Sequence, residues 1–178
     1  MKTSDKLNNE KSTKILINAF VIIPFKEEFN SVWITIEEAV TELSASDESI
    51  NISVYRASDH RKSDFLSQSV FNHIDQCDIA IIDTTEQNNN VIFEFGYAVA
   101  KKKRLVLLTQ DDVSTMASDY QSYLFLNYTT EKLNVLKIRL KQTIIRVIQE
   151  FEETQELNEK SIAGENVFPI DCIKDRKE

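Results

Sequence analysis

The stretch DIAIIDTTEQNNNVIFEFGYAV, residues 78–99, decides the fold predicted for this chain. It opens with Asp78–Ile82, a nearly continuous apolar run that is typical of a strand buried on both faces of a parallel sheet. A polar loop, Asp83–Asn90, follows this run, and from Val91 to Lys103 the apolar residues have helical spacing. The stretch therefore predicts a strand, a loop at the carboxyl end of that strand, and a helix.

The same alternation continues on both sides of this stretch. Four further strands are predicted, at Ala19–Ile23 with an extension back to Ile15, at Ile50–Tyr55, at Leu105–Leu108 and at Tyr123–Tyr128. Three further helices are predicted, one capped by Asn30 or Ser31 and ending near Leu43, one from Ser63 or Asp64 to Ile74, and one from Thr130 to Phe151. Five strands that alternate with helices predict a doubly wound, flavodoxin-like α/β sheet, in which ligands bind beyond the carboxyl ends of the strands.

Length and composition indicate one domain with two loosely built ends. The chain has 178 residues, of which 42% are hydrophobic, and this is enough for one ordinary core. Residues 1–13 are polar and predict a flexible tail, while residues 14–155 form the predicted α/β domain. Residues 156–178 are predicted to be either a loose tail or an arm that packs on a partner.

Charge and hydropathy exclude several classes of protein. The net charge of −8 and the pI near 4.9 argue against a direct nucleic-acid footprint or binding to an anionic membrane. No uncharged apolar segment approaches the roughly 20 residues of a membrane span, and the polar start of the chain lacks the apolar core of a signal peptide. We therefore expect a cytoplasmic protein.

Glycine and cysteine usage narrows the chemistry further. The two glycines, Gly96 and Gly164, are too few for a P-loop or for a dinucleotide-binding glycine loop. The two cysteines, Cys77 and Cys172, are far apart in the sequence and have no metal-ligand spacing, so both are predicted to be reduced.

Four loops that follow predicted strands are expected to lie on one rim of the sheet. They are Pro24–Glu27, Ser58–Arg61, Asp83–Asn90 and Thr109–Asp112. The third loop is dense in short polar side chains that could hydrogen-bond a sugar or an amide. Asn and Asp are also common turn formers and helix caps, so the same composition fits a loop that only caps the helix after it.

Glu94 is the residue in this region whose presence most needs an explanation. It is the only charged residue between Glu86 and Lys101, and its neighbours are apolar. Carboxylates are rarely buried without a function, and in the first turn of a helix the dipole would help this one to stay ionised. Gly96 costs stability inside a helix, which suggests the close approach of a ligand or of a neighbouring backbone. The alternative is tight helix–sheet packing with Glu94 paired to a basic residue.

Three segments, Phe20–Phe25, Asp78–Thr85 and Asn88–Ala98, resemble the nucleoside 2-deoxyribosyltransferase superfamily in their order and spacing. The resemblance covers about residues 19–128, and its most specific part is Asp-x-Thr followed by Asn-x-Asn-Val-x-x-Glu-x-Gly-x-Ala. More narrowly, the chain is similar to a bacterial branch described as TIR-like or nucleotide-binding. The resemblance implies the flavodoxin-like fold of that superfamily.

The resemblance also implies a reaction. In that superfamily the glutamate that matches Glu94 attacks the sugar C1′ as a nucleophile, and an aspartate at the position of Asp83 helps with the leaving base or the sugar. The expected function is cleavage or transfer at the N-glycosidic bond of a nucleoside, nucleotide or NAD-like substrate. The alternative is a TIR-like nucleotide-binding sensor without turnover, with a partner protein in bacterial antiphage defence. No metal or separate cofactor is implied, and a homo-oligomer, a dimer or tetramer, is expected.

The rim loops and the helix after Asn90 supply the candidate ligand contacts. The substrate-binding residues predicted are Pro24, Phe25, Lys26, Asp59, Arg61, Thr84, Asn88, Asn90, Gly96 and Tyr97. Several have a second interpretation. Tyr97 could stack on a base or fill the core, and Lys26 and Arg61, like His60, could contact a phosphate or only solvent.

Two further features have a structural interpretation and a functional one. Lys101–Arg104 is a basic run at a helix end, where cations complement the dipole, although a phosphate or partner site would have the same composition. His73 has no partner in the sequence and is predicted to be structural.

Overall fold

The computed structural model describes residues 14–56, 66–116 and 118–162. Five strands alternate with five helices in them: β1 (Ile15–Ile22), α1 (Asn30–Ser46), β2 (Ile50–Arg56), α2 (Leu66–Gln76), β3 (Ile79–Asp83), α3 (Asn89–Ala100), β4 (Arg104–Thr109), α4 (Ser118–Gln121), β5 (Phe125–Asn127) and α5 (Leu133–Ile162). The chain divides into two compact units, Met1–Lys141 and Gln142–Glu178, and the boundary falls within α5.

The strands form one sheet in the order β2-β1-β3-β4-β5, and every neighbouring pair is parallel. This order confirms the predicted flavodoxin-like sheet. The connection after β1 leads to one side of that strand, and the connection after β2 leads back across it to β3. A crevice is therefore expected at the carboxyl ends of β1 and β3, where the direction of winding reverses.

The apolar runs of the sequence become the centre of the sheet because both faces of the sheet are covered. All five residues of β3 are buried, as a strand between two helical layers requires. On one face, side chains from β1, β3 and β4 meet α2 and α3 in a single core. Its central members are Phe20, Ile22, Ala80, Ile82, Leu107, Val70, Ile74, Phe95 and Ala98.

The predicted N-terminal cap of α1 was wrong. Neither Asn30 nor Ser31 caps the helix, because a 3-10 turn at Glu27–Phe29 leads directly into it and Phe29 takes the cap position without a side-chain hydrogen bond. The predicted start of α2 at Ser63 or Asp64 lies outside the described residues.

The boundaries of the later elements also differ from the prediction. α3 begins two residues earlier than expected and ends before Lys102, whose positive φ of 54° breaks the helix. β5 is shorter than predicted, since only Phe125–Asn127 pairs with β4. α5 follows a 3-10 turn at Thr130–Lys132 and continues to Ile162, past the predicted start of the terminal segment. Residues 1–13 and 163–178 lie outside the described part of the chain.

Two sequence expectations concern single features of this fold. Cys77 is a buried free thiol, as predicted, and Cys172 lies outside the described residues. Among the helices of the described chain, none has the length and apolar character that crossing a membrane would require.

Candidate active site

A cavity of about 380 Å³ opens beside Glu94. Its walls come from the loop after β1, from α2, and from the first turns of α3. They are Ile23, Pro24, Phe25, Lys26, Val70, Phe71, Asn88, Asn90, Val91, Phe93 and Glu94. The volume lies in the range of small-molecule sites, and the cavity occupies the predicted rim beside the end of β1.

The Glu94 carboxyl is half-buried and has no hydrogen-bond or ion-pair partner among the described side chains. Burial raises its pKa from the usual 4.5 to about 7, because the partly desolvated site disfavours the charged form. The basic partner that the alternative interpretation requires is therefore missing from residues 14–56, 66–116 and 118–162. An unpaired carboxylate beside an open cavity is an unusual group, and such groups concentrate at functional sites.

The expectation that the helix dipole helps Glu94 to stay ionised was wrong. α3 begins at Asn89, so Glu94 is its sixth residue and lies in the second turn. The dipole acts mainly on charges within the first turn, and desolvation dominates at Glu94 instead.

A second, water-sized cavity of about 10 Å³ also borders Glu94. It shares Ile23, Phe25, Val70 and Glu94 with the larger cavity and adds Arg56, at the end of β2, to its walls. The Arg56 guanidinium also lies 4.9 Å from the centroid of the Trp33 ring. A space of this size holds about one water molecule.

Asp83 lines neither of these two cavities. It is fully buried at the end of β3, where its Oδ1 accepts hydrogen bonds from the Thr85 amide (3.0 Å) and hydroxyl (2.5 Å). Its Oδ2 accepts one from the Tyr128 hydroxyl at 2.5 Å, and Gln110 Nε2 donates to that hydroxyl at 3.1 Å. Burial raises the pKa of Asp83, although the hydrogen bonds from Thr85 and Tyr128 oppose this shift. The structure thus places Asp83 in a buried polar network at the ends of β3, β4 and β5.

Asn88 and Asn90 lie at the start of α3. Asn88 caps α3, since its side-chain oxygen accepts from the amides of Asn90 (3.1 Å) and Val91 (3.4 Å). Asn88 and Asn90 also line the large cavity. The capping interpretation is therefore confirmed for Asn88, and both side chains remain in contact with the candidate site.

Four other predicted contacts lie away from the two cavities or outside the described chain. Thr84 is buried, and its amide and hydroxyl both donate to the carbonyl of Leu108. Tyr97 packs its ring on Phe71, with 4.3 Å between centroids, and its hydroxyl donates to Asp75 at 3.0 Å. This placement favours the core interpretation of Tyr97. Asp59 and Arg61 lie outside the described residues, as does His60.

The remaining basic and imidazole groups make structural contacts. Lys101 pairs with Asp75 at 3.0 Å, and Lys103 Nζ donates to the carbonyls of Asp75 and Cys77 at the end of α2, each at 2.8 Å. These contacts favour the structural interpretation of the basic run. The His73 ring stacks on Phe20 with centroids 5.2 Å apart, as expected for a structural histidine.

Among the residues that were not predicted for the site are two exposed or partly exposed aromatic side chains, one arginine and one buried tyrosine. Phe71 and Phe93 line the large cavity, Arg56 lines the small one, and Tyr128 holds Asp83. Phe93 had a usable signal, since it lies off the buried stripe of α3 (Val91, Phe95 and Ala98), and it is 66% exposed. Tyr128 had none, because its partner is 45 residues away in the chain.

Gly96 lies in open space. Outside its own helix backbone and chain neighbours, a Cβ placed there would have no described atom within 4 Å, so no described backbone makes the close approach that was one of the two expected causes. Gly96→Ala is expected to raise the free energy of unfolding by about 0.5–1 kcal/mol, because alanine favours the helix and nothing described obstructs its methyl group. Thermal unfolding of the variant measures this. If a ligand lies against Gly96, ligand affinity will fall while stability rises; unchanged or lower stability would show an obstruction at this position.

No family model matches the chain, and no curated protein matches it. Solved structures with a similar fold include a CMP N-glycosidase, BcmB, from Clostridium botulinum, with 16% identity and a TM-score of 0.48 over 69% of this chain and 98% of that chain. A 2-deoxyribosyltransferase from Bacillus psychrosaccharolyticus has 14% identity and a TM-score of 0.45 over 65% and 95% of the two chains. A 2-desoxiribosyltransferase from Leishmania mexicana has 17% identity and a TM-score of 0.42, and the match covers 53% of this chain and 65% of that chain.

Proposed function

We propose that this protein cleaves or transfers at the N-glycosidic bond of a nucleoside, nucleotide or NAD-like molecule, with Glu94 as the reacting carboxylate. The observation that carries this proposal is the half-buried Glu94 carboxyl, which no described residue pairs with, beside a cavity of about 380 Å³. One of the similar structures is named an N-glycosidase and two are named deoxyribosyltransferases, yet the support for this function lies in the Glu94 site itself.

The chemistry follows from what the Glu94 site lacks. Breaking an N-glycosidic bond passes through a transition state with positive charge at the sugar C1′. Glu94 has no ion-pair partner among the described residues, so it gains one when that charge develops. Because the site is partly desolvated, the attraction is stronger than it would be in water. The base leaves with the electron pair of the broken C1′–N bond and takes up a proton, while Glu94 either stabilises the positive charge or bonds to C1′. Water, or a second base in a transfer, then bonds to C1′ and frees the Glu94 carboxylate.

The walls of the cavity suit the other parts of such a substrate. The side chains of Asn88 and Asn90 can hydrogen-bond sugar hydroxyls. Phe25 and Phe93, which are 53% and 66% exposed, present apolar faces on which a planar base can stack. The catalytic role of Asp83 stays a prediction, and its buried network makes it a group that positions the loop leading to Asn88.

Release of free base tests this function. Native protein and Glu94→Gln would be incubated with deoxynucleosides, deoxynucleotides, ribonucleotides and NAD, and free base would be measured by chromatography. We expect release from at least one substrate by the native protein and none by the variant. No release from any substrate, while one of them binds and raises the melting temperature, would overturn the proposal in favour of a nucleotide sensor without turnover. That sensor, its antiphage-defence partner, the cytoplasmic location and the dimer or tetramer stay predictions.

A further inference from the structure

Among the described residues that line the cavity beside Glu94, Lys26 is the one cation. It follows β1 on the loop that also contributes Pro24 and Phe25. A cation is notable at this place because the chain has a net charge of −8 and the other charged group in the described wall is a carboxylate. The described part of the cavity wall therefore offers a ligand one acidic group and one basic group.

Lys26 is not free in this structure. Its ammonium forms a close ion pair with Glu86 and a longer one of 3.5 Å with Glu28, and all three side chains are about half exposed. Glu86 comes from the 3-10 turn at Thr85–Gln87, which is 60 residues away in the chain and does not line the cavity. Glu86, which does not line the cavity, therefore forms an ion pair with Lys26, which does.

The turn that carries Glu86 is fixed on both sides. Thr85 is held by Asp83 and by the amide of Gln110, while Asn88 caps α3. Glu86 itself has a φ of 62°, in the left-handed region that non-glycine residues rarely adopt. The backbone therefore holds Glu86 in place, but its exposed side chain can leave Lys26 by rotation alone. Exposed ion pairs of this kind contribute little, so another anion can replace the Glu86 carboxylate.

We propose that Lys26 binds a phosphate monoester group of the ligand and that Glu86 is an internal competitor which this phosphate displaces. The inference rests on the proposed function, because it concerns the same cavity. A nucleoside 5′-monophosphate develops positive charge at C1′ and has negative charge at the other end of the sugar. These charges match the Glu94 carboxylate and the Lys26 ammonium, respectively.

The test compares each nucleoside with its 5′-monophosphate. Affinities would be measured by calorimetry in the Glu94→Gln form, so that no ligand is consumed, with and without Lys26→Gln or Glu86→Gln. Inorganic phosphate would be titrated in parallel. Lys101→Gln is the matched control, because Lys101 is 45% exposed against 46% for Lys26 and pairs with Asp75 at 3.0 Å outside the cavity.

We expect Lys26→Gln to weaken binding of the monophosphate about tenfold and to leave the nucleoside unchanged. Glu86→Gln should tighten monophosphate binding about two- to fivefold, and this gain should vanish when Lys26→Gln is also present. Lys101→Gln should change neither affinity. Salt should weaken monophosphate binding more than nucleoside binding.

The inference is overturned if Lys26→Gln affects nucleoside and monophosphate alike, if Glu86→Gln weakens the monophosphate, or if neither inorganic phosphate nor any monophosphate binds through Lys26. Failure here differs from failure of the proposed function. Base release from unphosphorylated nucleosides that depends on Glu94, without any effect of Lys26, would refute only the phosphate site. Phosphate binding that depends on Lys26, without base release from any substrate, would refute only the reaction.

Discussion

At pH 8, Glu94→Gln is expected to lose base release by at least about a thousandfold and yet to unfold about 3–6 °C above the native protein. Glutamine keeps the shape of the side chain and removes its charge, so neither nucleophilic attack nor stabilisation of a positive C1′ remains. Stability rises because the native protein holds a partly desolvated carboxylate without a described partner at this pH. The opposite signs of the two effects distinguish a functional carboxylate from a structural one.

The higher stability of Glu94→Gln is expected to depend on pH because the pKa of Glu94 is raised. Its pKa rises from 4.5 to about 7 on folding, so the native state binds more protons than the unfolded state between these values. The stabilisation that comes from protonation of Glu94 is therefore complete below about pH 4.5 and is lost as the pH rises through about 7. Above that pH, the contribution of Glu94 to the free energy of unfolding no longer changes. After allowance for the solvent that reaches this half-buried group, the loss is about 1–2 kcal/mol.

Thermal unfolding of native protein and Glu94→Gln at pH 5, 6, 7 and 8 measures this loss. The difference in melting temperature should grow up to about pH 7 and then level off. Glu48→Gln, which removes an exposed carboxylate from the same acidic chain, controls for the change in net charge. A Gln variant less stable than the native protein at pH 8 would mean that Glu94 has a stabilising partner.

Much of this fold could be predicted because local patterns determine it. The run Asp78–Ile82 has no polar alternation, and such a strand is stable only between two helical layers. Glu94 was identifiable for a similar reason, since it is a lone charge in an apolar helix. The stretch that predicts the third strand and the third helix therefore also predicts the candidate site.

Contacts between distant residues could not be predicted in this way. One example is the hydrogen bond from Tyr128 to Asp83, which joins residues 45 positions apart, and another is the ion pair of Lys26 with Glu86, which are 60 positions apart. The periodicity of the sequence does not indicate either contact. Asp83 was expected on the open rim because it ends a strand. It is buried instead because Thr85 and Tyr128 satisfy both of its oxygens.

Tyr128→Phe is expected to lower the free energy of unfolding by about 2–3 kcal/mol, although the change removes a single oxygen atom. The Tyr128 hydroxyl is the described donor to Asp83 Oδ2, and Asp83 is fully buried. Without it, a fully buried carboxylate oxygen is left without a described donor, and the cost of its desolvation remains. In a chain of this length, the melting temperature should fall by about 5–10 °C.

Tyr97→Phe is the matched control, because it removes the same atom from the same type of residue. The Tyr97 hydroxyl also donates to an aspartate, Asp75, but that carboxylate is exposed and water replaces the lost donor. We therefore expect little change in melting temperature. The loss in Tyr128→Phe should also shrink in acid, because removal of this hydrogen bond raises the pKa of Asp83 further and protonation relieves the unpaired charge. Equal losses in the two variants, or a Tyr128→Phe loss that does not depend on pH, would show that Asp83 is not held as an ionised carboxylate by Tyr128.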